Sequence, residues 1–387
     1  MNKVVILGST GSIGKITLNI IRPNIKNFNV ILLSTHSNVK EIFQQAVEFK
    51  VKNVIIINNY KRELWKNKFN KKKIKVYSSY DNFNKIFSKK VDYTINAISG
   101  IDGLEPTIKI IKFTKKIAIA NKESIICGWN LIKKKLLKYK TNFIPVDSEH
   151  FSIFRLLNNQ KKKILNKIII TASGGPFLKK KINKIKITDA LKHPNWKMGK
   201  KITIDSSTLM NKVFEVIEAK KIFDISFNKI KILINPNSYI HTILIFNNGT
   251  IEILAHENNM DIPIYNSIYE NDKKWIYSSN KLNLKKINNL NLTYPDYKKF
   301  KSLNLLKLIP EKDSLFETIL ITVNDELVHM FLNKKIEYKQ ILFYLIKIIN
   351  FKILRKYCKV KPNSIKQIIN VRNFAKKIVY KNVKLQN

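Results

Sequence analysis

Cysteine is nearly absent: Cys127 and Cys358 are the only two, and they stand far apart. That excludes a disulfide framework and a thiolate metal site, and it fits a reducing, cytoplasmic setting. Acid is scarce too, with 27 Asp and Glu against 72 Lys and Arg, a net charge of +45. Such an excess taken alone points to nucleic acid or an anionic surface. The arginines argue otherwise, because Arg22, Arg62, Arg155, Arg355 and Arg372 are scattered. Base readers use clustered guanidinium forks. Lys, Asn and Ile are inflated together along the whole chain, as AT-rich codons would make them, so nucleic acid is not the expected partner. No stretch approaches the roughly 20 apolar residues of a membrane span. The first strand begins at Lys3, which leaves no room for a leader peptide.

What is present alternates. Val4–Leu7, VILLS (30–34), NVIII (53–57), YTINAI (93–98) and KIAIAN (116–121) read as buried strands, with helical stretches such as VKEIFQQAVEF between them. That alternation predicts a parallel sheet covered on both faces, ending near residue 150 at NFIPVD. A second region, 151–270, reads as α+β. It holds the strand-to-turn KIIITASGGPF and two strands around the Asn-Gly of YIHTILIFNNGTIEIL. DSSTLMNKVFEVIEAKKIF reads as one helix capped by Asp205 or Ser206. Residues 271–297 read as a polar linker, and 298–387 as a small helical domain.

Three stretches carry chemistry. In GSTGSIG, Gly8, Gly11 and Gly14 follow a strand and open a helix, where backbone N–H groups can approach a pyrophosphate. A turn that merely packs helix on strand is the plainer alternative. The second strand ends in STHSN with no acid to hold a ribose hydroxyl, which favours the phosphorylated cofactor; Thr35, His36, Ser37, Asn38 and Lys40 are the residues available there, without the usual basic partner for a 2′-phosphate. In PVDSEH, an extended backbone would aim Asp147 and Glu149 the same way, at the carboxyl edge of the sheet. Paired hard oxygens suit Mg²⁺ or Mn²⁺, and an exposed acidic turn fits the fragment equally. In MNKVFEVIEA, Asn211, Lys212 and Glu215 share a helix face, as a metal and phosphate seat or as an ordinary surface ion pair. Ser173 before two glycines and Ser206 at a helix start read as phosphate seats, or as a strand-end turn and a cap. HPNWKMG, with an isolated Trp196, reads as a flap.

Together these pieces resemble the 1-deoxy-D-xylulose 5-phosphate reductoisomerase family. ILGSTGSIG, IANKES, PVDSEH, TASGGPF, HPNWKMGKKI, DSSTLMNK and SYIHT occur in order across residues 6–242. The resemblance implies an α/β chain with an N-terminal Rossmann-like NADP-binding domain (1–150), an α+β catalytic domain with a flap, and a C-terminal helical domain. It implies NADPH, Mn²⁺ or Mg²⁺, a phosphorylated ketose substrate and a cytoplasmic homodimer. It assigns the metal to Asp147, Glu149 and Glu215, and substrate hydroxyls to Lys122 and Ser148. It assigns the phosphate to Ser173, Ser206, Asn211 and Lys212, and the flap to His193, Trp196 and Met198. Catalytic roles fall on Lys122, Asp147, Glu149, Glu215 and His193. The cofactor turn is Gly8, Thr10, Gly11, Ser12 and Ile13, with Asn121 and Glu123 beside it. The implied reaction is a retro-aldol/aldol rearrangement followed by hydride transfer.

Departures from the family's pattern lie at STHSN, at AHENNMDIP, at ITVNDELV and at Val213 and Phe214. The first bears on cofactor affinity; the other three bear on packing and predict a weakened scaffold of low stability around retained ligands. A different NADP-dependent oxidoreductase sharing only the first domain would tolerate changes at Asp147 and Glu215. An inactive descendant would have lost some of these groups.

Overall fold

The computed structural model describes residues 1–157, 159–180, 185–196, 198–269 and 284–384. The chain divides into two compact units: Met1–Ile125, Leu131–Phe151 and Met260–Asn280 form one, and Ile126–Asn130, Ser152–Asn259 and Lys281–Asn387 the other.

In the first unit, the apolar runs become β1 (Asn2–Leu7), β2 (Phe28–Thr35), β3 (Asn53–Ile56), β5 (Val91–Asn96), β6 (Thr114–Ile119) and β7 (Asn142–Pro145). A three-residue β4 (Lys75–Tyr77) adds an edge that its lysine-rich surroundings do not announce. The order is β4-β3-β2-β1-β5-β6-β7, and every pairing is parallel. Val4, Val5, Ile6 and Leu7 are all fully buried, as a central strand covered on both faces requires. Chain order reverses direction between β1 and β5, which is where open α/β sheets hold ligands at their carboxyl edge.

The helices Ser12–Ile21, Val39–Glu48, Asn59–Lys71 and Lys122–Tyr139 follow strands β1, β2, β3 and β6. A further helix, Asp261–Tyr269, returns to this unit from much later in the chain. Tyr269 meets Phe28 edge-on with ring centroids 5.8 Å apart, and Ser267 Oγ lies 2.7 Å from Tyr93 Oη. Ile264 and Tyr269 thereby join the same core as Val4, Leu33 and Ile95.

The second unit is built on β8 (Leu165–Ala172), β9 (Ile230–Ile234), β10 (Ile240–Phe246) and β11 (Ile251–Ala255), in the order β11-β10-β8-β9. β8 and β9 are parallel; β10 runs antiparallel to β8 and β11. The hairpin turns at the Asn-Gly pair, with Gly249 at φ +85° and Phe246 N–H donating to Thr250 O at 3.0 Å. The long helices Phe316–Leu332, Tyr338–Ile349 and Ile365–Asn382 complete it.

Two expectations are corrected here. The stretch from Asp205 to Phe223 is not one helix but two, Lys200–Ser207 and Met210–Phe223. Leu209 between them sits at φ +57°, a left-handed conformation that stops the first helix and restarts the chain in a new direction. Asp205 and Ser206 therefore end a helix rather than begin one. The segment after β7 is not extended either, because Ser148 already opens the helix Ser148–Leu156. Of the span read as a linker, 271–283 lies outside the described residues; Leu284–Asn288 is a short helix, and Thr293 exchanges backbone hydrogen bonds with Ile234.

Candidate active site

The turn after β1 is held by its neighbours. Gly8 N–H donates to Ser34 Oγ at 2.9 Å, Ser9 N–H to Ser34 O at 2.9 Å, and Ser9 Oγ to Gln45 Oε1 at 2.7 Å. Thr10 Oγ1 lies 2.7 Å from Thr35 Oγ1. Gly8 takes φ +79°, and a Cβ there would stand 2.8 Å from the Ala97 carbonyl. A Cβ on Gly14 would stand 2.5 Å from Gly8 O, so the helix Ser12–Ile21 starts against the turn itself. Gly11 is its N-cap and offers no side chain to the first amides, among them those of Ser12 and Ile13. Beyond β2, Asn38 caps the helix Val39–Glu48 through its side chain, and Ser37 O accepts from Val39 N–H at 3.0 Å.

The ends of β6 and β7 hold the first acidic group. Asn121 caps the helix Lys122–Tyr139: its Oδ1 accepts from Ser124 N–H at 2.7 Å, and its amide donates to Ile98 O and to Gly100 O. That fixes Lys122 at the start of the helix, with Glu123 beside it. Lys122 Nζ lies 2.9 Å from Asp147 Oδ2, and both side chains are largely buried. Asp147 Oδ1 lies 3.4 Å from His150 Nδ1. Burial pushes the Asp147 carboxyl up, but the Lys122 ammonium and His150 outweigh it and hold it well below the usual carboxylate range. Asp147 O accepts from Phe151 N–H at 2.8 Å, which makes this residue the backbone start of the helix Ser148–Leu156. Glu149 falls in the first turn and accepts from Ser148 Oγ at 2.5 Å. The two carboxylates therefore share a neighbourhood through a strand-to-helix transition, not through strand alternation.

In the second unit, Asn211 donates to Glu215 Oε1 and Lys212 to Glu215 Oε2, both one turn back on the helix Met210–Phe223. Lys212 and Glu215 are buried, so this is no surface ion pair. Gly175, at φ +66°, places the turn after β8 against the helix end at Ser206: a Cβ there would stand 2.8 Å from Ser206 O. Ser173 Oγ accepts from Gly175 N–H at 3.1 Å and lies 3.1 Å from His193 Nε2. His193 Nδ1 accepts from the backbone N–H groups of Asn195 and Trp196 at 3.2 and 3.0 Å. An Nδ1 that accepts twice carries no proton, so Nε2–H is the donor to Ser173. Burial lowers the His193 pKa to about 4, so the ring is neutral near pH 7. Trp196 meets His241 edge-on at 6.1 Å, and His241 stacks on His256 at 3.8 Å. Met198, two residues after Trp196, is half-buried.

Comparison with known proteins decides the family. Sequence profiles described as 1-deoxy-D-xylulose 5-phosphate reductoisomerase and its two C-terminal domains match residues 4–128, 143–223 and 256–378. The chain belongs to the 1-deoxy-D-xylulose 5-phosphate reductoisomerase family. A reductoisomerase of Pelagibacter ubique is 53% identical over 381 residues, covering 97% of this chain and 98% of that one. One of Persephonella marina is 37% identical over 390 residues, covering both chains entirely. Among solved structures, a reductoisomerase in complex with NADPH, fosmidomycin and magnesium superposes with a TM-score of 0.90 at 28% identity, over 98% of each chain. The Zymomonas mobilis reductoisomerase in complex with NADPH gives 0.86 at 29% identity, also over 98% of each. The fold is the mixed α/β architecture of the reductoisomerase family, with its parallel sheet and C-terminal helices.

The residues suit what such reductoisomerases carry. An uncapped helix start behind a glycine turn is a seat for a pyrophosphate. An ionised, largely buried Asp147 with the Glu149 carboxylate beside it offers hard oxygens that suit Mg²⁺ or Mn²⁺ rather than a soft metal. Sequence reasoning missed Ser34 and Gln45, which hold the glycine turn, and His241 and His256, which back Trp196. A polar residue on an amphipathic helix or strand gives no sign of which buried partner it will find. No helix among the described residues is long and apolar enough to cross a membrane.

Proposed function

We propose that this chain binds NADPH and a divalent cation and converts 1-deoxy-D-xylulose 5-phosphate to 2-C-methyl-D-erythritol 4-phosphate. The observation that carries the reading is 53% identity to a reductoisomerase over nearly the whole of both chains. The cation supplies Lewis-acid polarisation at the substrate's carbonyl and hydroxyl oxygens, and NADPH supplies a hydride.

The chain's own residues take the remaining tasks. Asp147, Glu149 and Glu215 are assigned as the metal's carboxylates. Lys122 keeps Asp147 ionised and, with Ser148, orients the substrate hydroxyls; the 2.9 Å ion pair supports this role. Ser173, Ser206, Asn211 and Lys212 are assigned to the phosphate, a group remote from the bonds that change, whose binding aligns the reacting end. The packing of Gly175 on Ser206 supports a joint role for the Ser173 turn and the helix end. Gly8, Thr10, Gly11, Ser12 and Ile13 are assigned to the cofactor's pyrophosphate side, with Ser37, Asn38, Asn121 and Glu123 along the same sheet edge. A neutral His193 serves as a hydrogen-bonding organiser of Ser173 and the flap backbone, not as a proton donor near pH 7.

The test is a spectrophotometric one. Purified protein with 1-deoxy-D-xylulose 5-phosphate, NADPH and Mn²⁺ is expected to consume reduced nicotinamide, and a chelator is expected to stop it. A Glu215→Gln variant is expected to show a small fraction of that rate. Metal-independent oxidation, or none from folded protein, would overturn the assignment. We further propose a cytoplasmic homodimer, on the strength of the family resemblance. Light scattering should then give twice the 45.3 kDa chain mass; a monomeric mass at assay concentration would refute it.

A further inference from the structure

Residues 193–196 are tied down at more points than a surface loop needs. His193 fastens one side through Ser173. The other side is fastened by Asn195, whose amide Nδ2 donates to Pro236 O at 2.6 Å and lies 2.9 Å from Ser238 Oγ. Pro236 O can only accept, so the amide nitrogen and not its oxygen faces this turn.

The surface that receives Asn195 is rigid. Asn235 is fully buried, and its Oδ1 accepts from Tyr239 N–H at 3.0 Å and Ile240 N–H at 3.3 Å. Ser238 N–H donates to Asn235 O at 2.9 Å, and Ser238 itself is buried at φ +51°. A left-handed, non-glycine residue held this way keeps its backbone in one place. The turn is also the lead into β10, whose second residue is His241, the ring that meets Trp196. Asn195 and Trp196 are thus adjacent residues docked on adjacent parts of one rigid element.

We infer that Asn195 is a positioning residue: its amide latches the segment carrying Trp196 onto the Pro236–Ser238 turn and so sets how often the flap is closed over the substrate. This rests on the reaction assigned above and adds a residue to which no role has been given. The latch does not touch the reacting atoms. Its loss opens the flap while leaving the metal carboxylates and the phosphate groups in place. Weaker substrate retention with nearly intact chemistry is the signature.

The experiment uses the full-length chain with NADPH and Mn²⁺. Asn195→Ala removes both hydrogen bonds, each worth a several-fold change in an equilibrium. The KM for 1-deoxy-D-xylulose 5-phosphate is expected to rise about tenfold, with kcat changed by less than about threefold. In a second readout, independent of turnover, the substrate-free variant is exposed to trypsin. Cleavage after the exposed Lys192, mapped by mass spectrometry, is expected to accelerate several-fold at unchanged melting temperature. Ser238→Ala is expected to show a smaller effect alone and none when added to Asn195→Ala. Wild-type KM with wild-type cleavage in Asn195→Ala would overturn the latch. So would a full Ser238→Ala increment in the Asn195→Ala background. Should the chain fail to turn over the ketose phosphate at all, the functional reading falls, and the tryptic readout still decides the latch. Should Asn195→Ala not fold, Ser238→Ala read the same two ways takes its place.

Discussion

Replacing Asp147 by Asn is expected to lower turnover by about 10²–10³-fold at saturating Mn²⁺, the cost of removing one preorganised electrostatic contact from an active site. The variant is nearly isosteric, so shape is preserved and charge is the variable. Two losses follow. A hard anionic oxygen disappears from the donor set. The Lys122 ammonium, only 8% exposed and 2.9 Å from the carboxylate, loses the counter-charge of Asp147. Electron paramagnetic resonance of free Mn²⁺ separates these effects. A metal ligand predicts Mn²⁺ affinity reduced by about 10–100-fold or more. Wild-type affinity with reduced turnover would remove Asp147 from the ligand set and leave it as the partner of Lys122 alone. The folded-state pKa of Asp147 is depressed, so its contribution to stability is present above the ordinary carboxylate range and fades only as pH falls through the lowered value. An acid limb of activity between about pH 5 and 7 would therefore belong to another group.

The largest effect on stability is expected at Lys221. Lys221 lies in the last turn of the helix Met210–Phe223, and Glu317 in the first turn of Phe316–Leu332. Cation at a C-terminus and anion at an N-terminus each oppose the local helix dipole favourably. Lys221 Nζ is 3.0 Å from Glu317 Oε1 and 2.5 Å from Asp313 Oδ1, and the Lys221 and Glu317 side chains are 4% and 2% exposed. Ser314 donates to Glu317 from both its backbone and its hydroxyl. Lys221→Met keeps the apolar stem and removes only the charge. It leaves Glu317 buried beside Asp313 without this cation, at a cost of about 3–5 kcal/mol in denaturant unfolding. Adding Glu317→Gln to Lys221→Met should recover much of that loss. A single variant as stable as the wild type would show that the cluster is not a stabilising one. Burial lowers the Lys221 pKa, but Glu317 and Asp313 outweigh it and the net shift is upward. The stabilisation is thus complete below the ordinary lysine range and is lost as pH rises through the raised value.

The strands were legible because a parallel sheet demands uninterrupted apolar runs, and Val4–Leu7 or Ile117–Ile119 can hardly be anything else. The glycine turn was legible for a related reason: Gly8 and Gly14 sit where a Cβ has no room. What escaped were the places where one backbone angle decides the path. Leu209 at φ +57° divides a stretch whose apolar spacing reads as a single helix, and nothing in a leucine announces a left-handed conformation. PVDSEH reads as extended, yet its backbone turns helical at Ser148, so that Asp147 starts the helix and Glu149 lies in its first turn. The residue types were right and the geometry joining them was not. The stretches that depart from the family pattern turn out to be engaged. Asn324 donates to Asp205 Oδ1 at 2.8 Å, and Asp325 lies 2.8 Å from Lys201, holding the helix Lys200–Ser207. Val213 and Phe214 are fully buried in the helix that carries Glu215. Such pairings join residues more than a hundred positions apart, and no local pattern encodes them.

The helix Asp261–Tyr269 has a consequence for how the protein is made. The parallel sheet has all seven strands once Pro145 is synthesised, yet its core still lacks Ile264 and Tyr269. Those residues follow Phe151 by more than a hundred positions, and the ribosome needs roughly 5–20 s to make that much chain. During that interval Phe28 and Tyr93 lack the aromatic ring and the hydroxyl that later meet them. A nascent sheet in this state has an open apolar face, the kind of surface that holdase chaperones occupy. The whole of β8 to β11 is translated while it waits. Completion of the first unit is thereby tied to translation of the second, so a chain truncated near residue 150 would carry the strands of the sheet without its full core.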